Sequence, residues 1–254
     1  MINSTPVSYF TLAAYFDTGV FKYLYFMIVM SLYILIVCAN LLLIVSICRN
    51  RSLHEPMYNI LCSLFVNETV LVVQGCSPMV LLILSDIHTV PASFCYLQIF
   101  CVYTYASVEF SNLAVMSYDR YLAICYPLQY NTRMTSNNIA ILITLTWLYP
   151  FLAIFILISL SVPLQLCGNI INKVYCDNYS IVKLACYDTT VNNIYGIVYT
   201  FTTVILVLLI FYTYMKILKV CFSGSKQTRQ KAVSTCTPHL ASLLNFSFGS
   251  WDLI

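Results

Sequence analysis

Charged residues are scarce in this sequence, at 8% of its 254 residues, against about 25% in a typical soluble domain. Hydrophobic residues make up 61% of the chain, against roughly 45–50% in a soluble domain. The surface of a soluble domain must be wetted by polar groups, so an apolar excess of this size has to face lipid. The composition therefore predicts a polytopic membrane protein.

Glycine is also scarce, which excludes several kinds of site. The six glycines stand far apart, so neither a phosphate-binding loop nor a dinucleotide-binding turn can be built from them. The net charge of +3 is small, and no basic stripe with interleaved aromatic residues argues for nucleic acid as a partner. His54, His88 and His239 are scattered, and none stands near a nucleophile that it could activate. We therefore expect no enzyme activity.

Long apolar runs dominate what is present. A helix needs about 20 mostly apolar residues to cross the hydrocarbon core of a bilayer. Six stretches meet this requirement, and the chain stops at Ile254 with no room for a seventh. The sequence thus predicts a single all-α transmembrane domain over residues 1–254. Its predicted spans cover residues 23–48, 57–85, 92–121, 139–162, 192–217 and 232–253, and a long outer loop covers residues 163–191.

The distribution of Lys and Arg predicts the orientation of these spans. Nine of these residues follow spans one, three and five, and three lie on the other side. Because cytoplasmic loops are enriched in Lys and Arg, the N-terminus is predicted to lie outside the cell. Two glycosylation sequons, at Asn3 and Asn178, then lie on the outer side. Asn3 is the favoured site, since a sugar at Asn178 would crowd the cysteines of the outer loop.

Four of the twelve cysteines are predicted to lie outside the cell, where disulfides persist. They are Cys95, Cys167, Cys176 and Cys186. Four cysteines permit three pairings, and their spacing alone does not choose among them. A zinc site is disfavoured, because the gaps between the loop cysteines suit no usual zinc finger and no histidine is near.

Three segments, in this order along the chain, resemble the signatures of one family, the odorant-receptor branch of the rhodopsin-like G-protein-coupled receptors. They are residues 53–58 (LHEPMY) after span one, residues 116–128 (MSYDRYLAICYPL) at the end of span three, and residues 231–240 (KAVSTCTPHL) at the start of span six. The resemblance implies a rhodopsin-like transmembrane helix bundle in which six spans are present and the seventh is missing.

The resemblance also implies a function. A receptor of this kind would bind a small organic odorant within the helix bundle and activate a heterotrimeric G protein of the olfactory type from the plasma membrane. The alternative is a non-signalling truncated receptor remnant, or a modulator of full-length receptors, and from the missing seventh span we expect that the chain as written does not signal. A transporter ranks third, because neither internal repeats nor paired broken helices are visible.

Several residue roles follow from the resemblance alone. Cys95 would pair with Cys176, and Cys167 with Cys186. The signalling switch is expected at the end of span three, with support from span five. Its residues would be Asp119, Arg120, Tyr121 and Tyr212.

The resemblance implies a ligand site on two spans. Tyr103, Ala106, Ser107 and Phe110 recur at helical spacing on one face of span three, and Gly196 and Thr200 stand four residues apart on span five. Plain helix packing is the alternative explanation for this spacing.

Glu109 lies ten residues before Asp119, about 15 Å along the helix. A carboxylate at that depth must be paired, protonated or bound to a cation. The family has a sodium site in this region, and Asn67 with Glu109 is the candidate pair. A protonated Glu109 with hydrogen-bonding neighbours is the alternative. No other cofactor is expected.

Overall fold

The computed structural model describes residues 7–14, 21–50, 57–69 and 88–223, and helices dominate these ranges. In chain order the elements are β1 (Tyr9–Leu12), α1 (Phe21–Arg49), α2 (residues 57–69), β2 (Thr89–Pro91), α3 (Ala92–Cys125), α4 (Pro127–Arg133), α5 (Ser136–Ser161), β3 (Ile170–Ile171), α6 (Asn178–Lys183) and α7 (Thr190–Ser223).

Within the described ranges, four helices are long and apolar enough to cross a membrane: α1, α3, α5 and α7. The shortest, α5, has 26 residues, and its length of about 39 Å exceeds the hydrocarbon thickness of about 30 Å. These helices lie where spans one, three, four and five are predicted. Span two is described from residue 57 to residue 69, and predicted span six lies outside the described residues. The chain is a mostly helical, multi-pass membrane protein.

The four helices differ in how much of their apolar surface is buried. In α1 and α7, 6% of the most apolar stretch is buried, whereas in α3 the share is 61%. Exposed side chains include Leu35 and Leu42 on α1 and Phe201 and Leu208 on α7. Helices satisfy their own backbone hydrogen bonds, so such apolar surfaces are suited to contact lipid.

The chain divides into two compact units. The first unit comprises Met1–Leu43, Val66–Tyr105 and Pro150–Val198. The second unit comprises Ile44–Phe65, Ala106–Tyr149 and Tyr199–Ile254. Each of the four long helices contributes residues to both units.

A three-stranded sheet in the first unit joins segments that are far apart in the sequence. Its central strand, β1, pairs antiparallel with β2, where Phe10 lies opposite Val90, and parallel with β3, where Leu12 lies opposite Ile171. Side chains alternate along β1, so that Phe10 and Leu12 are buried while Tyr9 is exposed. This sheet was not predicted from the sequence.

Two disulfides lie in the described part of the first unit. Cys95 is bonded to Cys176, with the two Cα atoms 5.4 Å apart, and Cys167 is bonded to Cys186, with the Cα atoms 5.2 Å apart. These are the pairings that the resemblance implies. The first bridge lies in a buried cluster that also contains side chains from all three strands. The cluster consists of Phe10, Leu12, Val90, Cys95, Ile99, Ile171, Cys176 and Ile181.

The short helix α6 follows the first bridge. Asp177 caps its N-terminus by accepting a hydrogen bond from the Ser180 backbone N–H at 3.1 Å. Asn178 is buried, and its side-chain oxygen accepts a hydrogen bond from the Ser161 hydroxyl at 2.7 Å. This contact engages the side-chain oxygen of Asn178 in its sequon. The favoured site, Asn3, lies outside the described residues.

The second unit has its own buried cluster, which packs α2, α3, α5 and α7 together with the turn between α4 and α5. No described disulfide or strand belongs to this unit. The buried members of the cluster are Ile60, Phe110, Leu113, Met116, Leu122, Met134, Ile139, Ile210, Tyr214, Ile217 and Cys221.

Candidate functional site

The C-terminal end of α3 holds a buried carboxylate, and both of its oxygens have partners. Asp119 has no exposed surface. The Arg120 guanidinium donates from Nε and Nη2 to Oδ2 of Asp119, at 2.9 Å and 2.6 Å. The Tyr130 hydroxyl donates to Oδ1 of Asp119 at 2.8 Å. A buried charge is costly without partners, so the Asp119 carboxylate holds the Arg120 guanidinium in place. If these contacts break, the carboxylate is left buried without its partners.

Tyr130 takes part in this arrangement, although the sequence analysis did not single it out. It belongs to α4, which begins with Pro127 at its first position. Proline is favoured there because the first helical N–H has no partner within the helix and the φ angle of proline suits the turn. The sequence signal for this contact is Pro127, which indicates that a new helix begins directly after the switch segment. A residue of that helix can then lie beside Asp119.

The predicted switch tyrosines, Tyr121 and Tyr212, and the nearby Tyr214 differ in their surroundings. The Tyr121 ring meets the Tyr126 ring edge to face, with the centroids 5.5 Å apart. Tyr212 is 54% exposed, with Lys216 Nζ 5.5 Å from its ring centroid. Tyr214 is 3% exposed and lies in the buried cluster of the second unit. Side chains two positions apart on a helix point about 200° apart, and here Tyr214, rather than Tyr212, faces inward.

Four of the predicted ligand residues lie in the second unit: Ala106, Ser107 and Phe110 on α3, and Thr200 on α7. Ser107 and Phe110 are buried. The Ser107 hydroxyl is hydrogen-bonded to the hydroxyl of Tyr199, the residue before Thr200. The structure therefore brings Ser107 of α3 against Tyr199 of α7, and the buried Phe110 lies on the same helix as Ser107.

The other two predicted ligand residues, Tyr103 and Gly196, lie in the first unit. Tyr103 packs against the buried cluster around the Cys95 disulfide. At Gly196 a Cβ atom would meet no heavy atom within 4 Å, so the space beside α7 is open at this point. Their role as ligand contacts stays a prediction.

The candidate sodium ligands belong to different units. Asn67, in the first unit, is fully buried, and its Nδ2 donates to the Tyr105 carbonyl at 3.2 Å. Glu109, in the second unit, is buried as well. Oxygen ligands suit a hard cation, but no group of three or more His, Cys, Asp or Glu in the described ranges is placed to hold a metal ion. The sodium site stays a prediction.

Glu68, to which the sequence analysis gives no role, has a polar neighbour. Its carboxyl group interacts with the side chain of Asn40 on α1, which is buried. An ionisable residue in an apolar span needs such a partner. The sequence signal for this pair is a carboxyl group in one apolar run and a side-chain amide in the neighbouring one.

A series of side-chain hydrogen bonds joins three helices of the second unit. The Trp147 indole N–H on α5 donates to the Ser63 hydroxyl on α2 at 2.9 Å, and Ser63 donates to Oδ1 of Asn112 on α3 at 3.1 Å. Nearby, the Tyr149 hydroxyl donates to the Thr202 hydroxyl on α7 at 2.7 Å. The second unit is thus linked by directional contacts between single side chains.

Comparisons with known proteins agree with one another. The sequence model of a family described as olfactory receptor matches residues 29–250. Olfactory receptor 6N1 of Homo sapiens is 35% identical over 235 residues, which cover 91% of this chain and 75% of the relative. Olfactory receptor 11A1 of Homo sapiens is 33% identical over 247 residues, covering 96% and 78%. Olfactory receptor 6E1 of Mus musculus is 33% identical over 253 residues, covering 98% and 80%.

Proposed function

Since the chain belongs to the olfactory receptor family, we propose that it binds a small organic odorant against α3 and α7 and then activates a heterotrimeric G protein of the olfactory type. Members of this family are signalling receptors and not enzymes. In this proposal the chain lies in the plasma membrane with its N-terminus outside, so that the end of α3 that carries Arg120 faces the cytoplasm.

The main support for the proposal is the contact between Arg120 and the buried Asp119. The Arg120 side chain is 16% exposed while Asp119 is fully buried, so the cation lies at the edge of a buried site. A rearrangement that withdraws Asp119 or Tyr130 releases the guanidinium toward a partner protein. We assign Tyr121 and Tyr212 to the surface around this contact, with Tyr214 as the inward-facing tyrosine of α7.

The ligand side of the proposal rests on the hydroxyl contact between Ser107 and Tyr199. Ligand pockets are mostly apolar and contain a few polar groups that orient the ligand. Phe110 and Ala106 supply apolar surface, and Ser107 and Thr200 supply hydroxyl groups. An odorant with one polar group would exchange hydrogen bonds with Ser107 and alter how α3 is held to α7.

Ligand binding and G-protein contact are linked in this proposal by a population shift. A ligand changes the balance between two arrangements by no more than its difference in affinity for them. Ser107 and Arg120 lie on the same helix, α3, in the second unit. A change in how α3 is held at Ser107 therefore has a continuous helix through which to bias the contact at Asp119.

The test is odorant-dependent cAMP production in cells that express the chain, measured against a broad odorant panel. The proposed receptor function gives a dose-dependent response that is lost in Arg120→Ala at equal surface level, whereas no response to any odorant would favour the non-signalling alternative given in the sequence analysis. Arg49→Ala is the matched control, because Arg49 is an exposed arginine at the same kind of helix end, and it should respond like the wild type. An odorant response that persists in Arg120→Ala would contradict the proposed switch.

A further inference from the structure

The first unit contains a cavity of about 420 Å3 that none of the predicted ligand residues lines. Its walls come from three segments that are far apart in the sequence: Val7 and Phe10 near the N-terminus, Ala92, Ser93 and Tyr96 in the first turns of α3, and residues 162–166 after α5. This volume is at the lower end of the range of about 300–1,000 Å3 for ligand pockets.

The three walls are tied to one another by hydrogen bonds. The Ala92 backbone N–H donates to the Ser8 carbonyl at 3.0 Å, which joins the N-terminal segment to α3. The Tyr96 hydroxyl donates to the Ser161 carbonyl at 3.4 Å, which joins α3 to the end of α5. The cavity is therefore formed by the fold and does not have to be opened by a ligand.

The wall after α5 is held in the same way. Gln165 accepts a backbone hydrogen bond from the Cys186 N–H at 2.9 Å, and Leu166 pairs with Ala185 in a β-bridge. The Cys167–Cys186 disulfide follows directly. The side of the cavity formed by residues 162–166 is thus anchored covalently one residue beyond its end.

The chemistry of the lining limits the ligand. Most lining side chains are apolar, and Ser93 and Gln165 add a hydroxyl and an amide that can donate a hydrogen bond to a ligand. The Tyr96 hydroxyl already donates to the Ser161 carbonyl. None of the described lining residues is acidic or basic, so these residues offer a charged ligand no counter-charge to offset the cost of its desolvation. A neutral molecule with a hydrogen-bond acceptor fits these groups.

We propose that this cavity binds a small neutral carbonyl compound, such as an aldehyde, a ketone or an ester, with its hydrocarbon part against Val7 and Val162 and its carbonyl oxygen toward Ser93 or Gln165. This is a second ligand site, distinct from the residues at Ser107 and Thr200. It does not depend on the proposed signalling function, since all of its walls belong to the first unit.

The experiment uses the full chain in membranes and a photoreactive probe, a medium-chain alkyl ketone that carries a diazirine and an alkyne. After irradiation, mass spectrometry locates the cross-linked residues. We expect cross-links in residues 7–10 and 162–166. Ser93→Trp places an indole in the cavity and should lower labelling of both segments about tenfold, the equivalent of 1.4 kcal/mol in affinity.

Leu97→Trp is the matched control, because Leu97 lies one turn further along α3, is 48% exposed and does not line the cavity. Its labelling should equal that of the wild type. Equal labelling in the wild type and Ser93→Trp, or no enrichment of these two segments over the rest of the chain, would overturn the proposal.

A second variant keeps the test decisive if Ser93→Trp fails to form the Cys95–Cys176 disulfide. Gln165→Leu removes one donor, and we expect it to lower labelling by the ketone probe several-fold while leaving labelling by the matching alkane diazirine unchanged. Unchanged labelling by both probes would overturn the proposal. A Ser107→Ala variant with lost cAMP response and intact cavity labelling would separate this site from the one in the proposed function.

Discussion

The two units of this receptor differ in the interactions that hold each unit together internally. In the described part of the first unit, two disulfides and a three-stranded sheet join segments that are far apart in the sequence. In the described part of the second unit, the side-chain links between distant segments are single hydrogen bonds, and Arg120 forms an ion pair with its neighbour Asp119. The first set contains covalent bonds, whereas the second contains contacts that exchange readily with water or with a ligand.

This difference bears on where a small ligand can act. A disulfide is not opened by a ligand that forms a few weak contacts. A side-chain hydrogen bond contributes only about 0.5–1.5 kcal/mol net, which is within the differential affinity of a small molecule. In the proposed function, the second unit, with Ser107, Tyr130 and Arg120, is therefore the part whose arrangement we expect a ligand to change.

The largest expected effect comes from breaking the frame of the first unit. The Cys95–Cys176 bridge spans 81 residues and the Cys167–Cys186 bridge spans 19, for which loop-closure entropy gives about 4.5 and about 3.2 kcal/mol of stabilisation. Cys95→Ser should reduce surface delivery and thermal stability more than Cys167→Ser does. Surface staining and a thermal melt of the purified chain measure both, and a larger loss for Cys167→Ser would contradict the ranking.

The next effect contrasts two tyrosines of α7. Tyr214→Ala removes a ring from the buried cluster of the second unit and should cost about 3 kcal/mol of stability, as large-to-small changes in cores do. Tyr212→Ala removes an exposed ring and should stay within about 0.5 kcal/mol. Thermal melts of the two variants provide the test. Equal losses of stability would show that both rings contribute alike. That result would contradict the buried position of Tyr214 and the exposed position of Tyr212.

A smaller effect is expected at Tyr130. Tyr130→Phe removes the hydroxyl that donates to Asp119, and we expect a loss of about 1 kcal/mol together with raised basal G-protein activation. Tyr118→Phe serves as the control, because Tyr118 is exposed on the same part of α3. Basal cAMP normalised to surface level is the measurement. Matching basal levels in the two variants would mean that Tyr130 does not restrain the switch.

The smallest effect lies at the start of α7, outside the membrane. The Thr190 backbone N–H and hydroxyl donate to Oδ1 of Asp188 at 3.0 Å and 2.6 Å, and these bonds hold the pKa of Asp188 below its usual range. The carboxylate therefore stabilises this turn above the ordinary Asp pKa of about 3.9. That stabilisation is lost as the pH falls through the lowered pKa of the folded protein.

Hydrogen exchange at the Thr190 amide measures this effect. The protection of the wild type should exceed that of Asp188→Asn near neutral pH, and the difference should shrink when the pH falls below the lowered pKa. A difference that does not change with pH would argue against a role for the ionised carboxylate.

Much of this molecule could be predicted because its signals are local. Runs of apolar residues predict α1, α3, α5 and α7, since the length of a span is fixed by the thickness of a bilayer. The adjacent pair Asp119 and Arg120 lies in a recognisable segment, and the contact between them needs no distant partner. The resemblance also implies both disulfide pairings that the structure contains, which spacing alone left open.

What could not be predicted depends on contacts between distant segments. The strands of the small sheet have two to four residues, too few to show a period, and β1 lies about 80 and about 160 residues from its two partners. The choice between Tyr212 and Tyr214 depends on which side of α7 meets the other helices, and both residues are tyrosines in an apolar run. The contact of Tyr130 with Asp119 depends on the position of α4, which the sequence does not give.

The central claim is that the second unit holds a reversible restraint on Arg120, and basal nucleotide exchange tests it most directly. The full chain and Asp119→Asn are reconstituted at equal amounts with a G protein of the olfactory type, and exchange is followed without any odorant. Asp119→Asn keeps the shape of the side chain but removes its charge, so the account predicts a basal rate several-fold above that of the wild type. A rate equal to or below the wild type, with the Cys95–Cys176 disulfide intact, would contradict it.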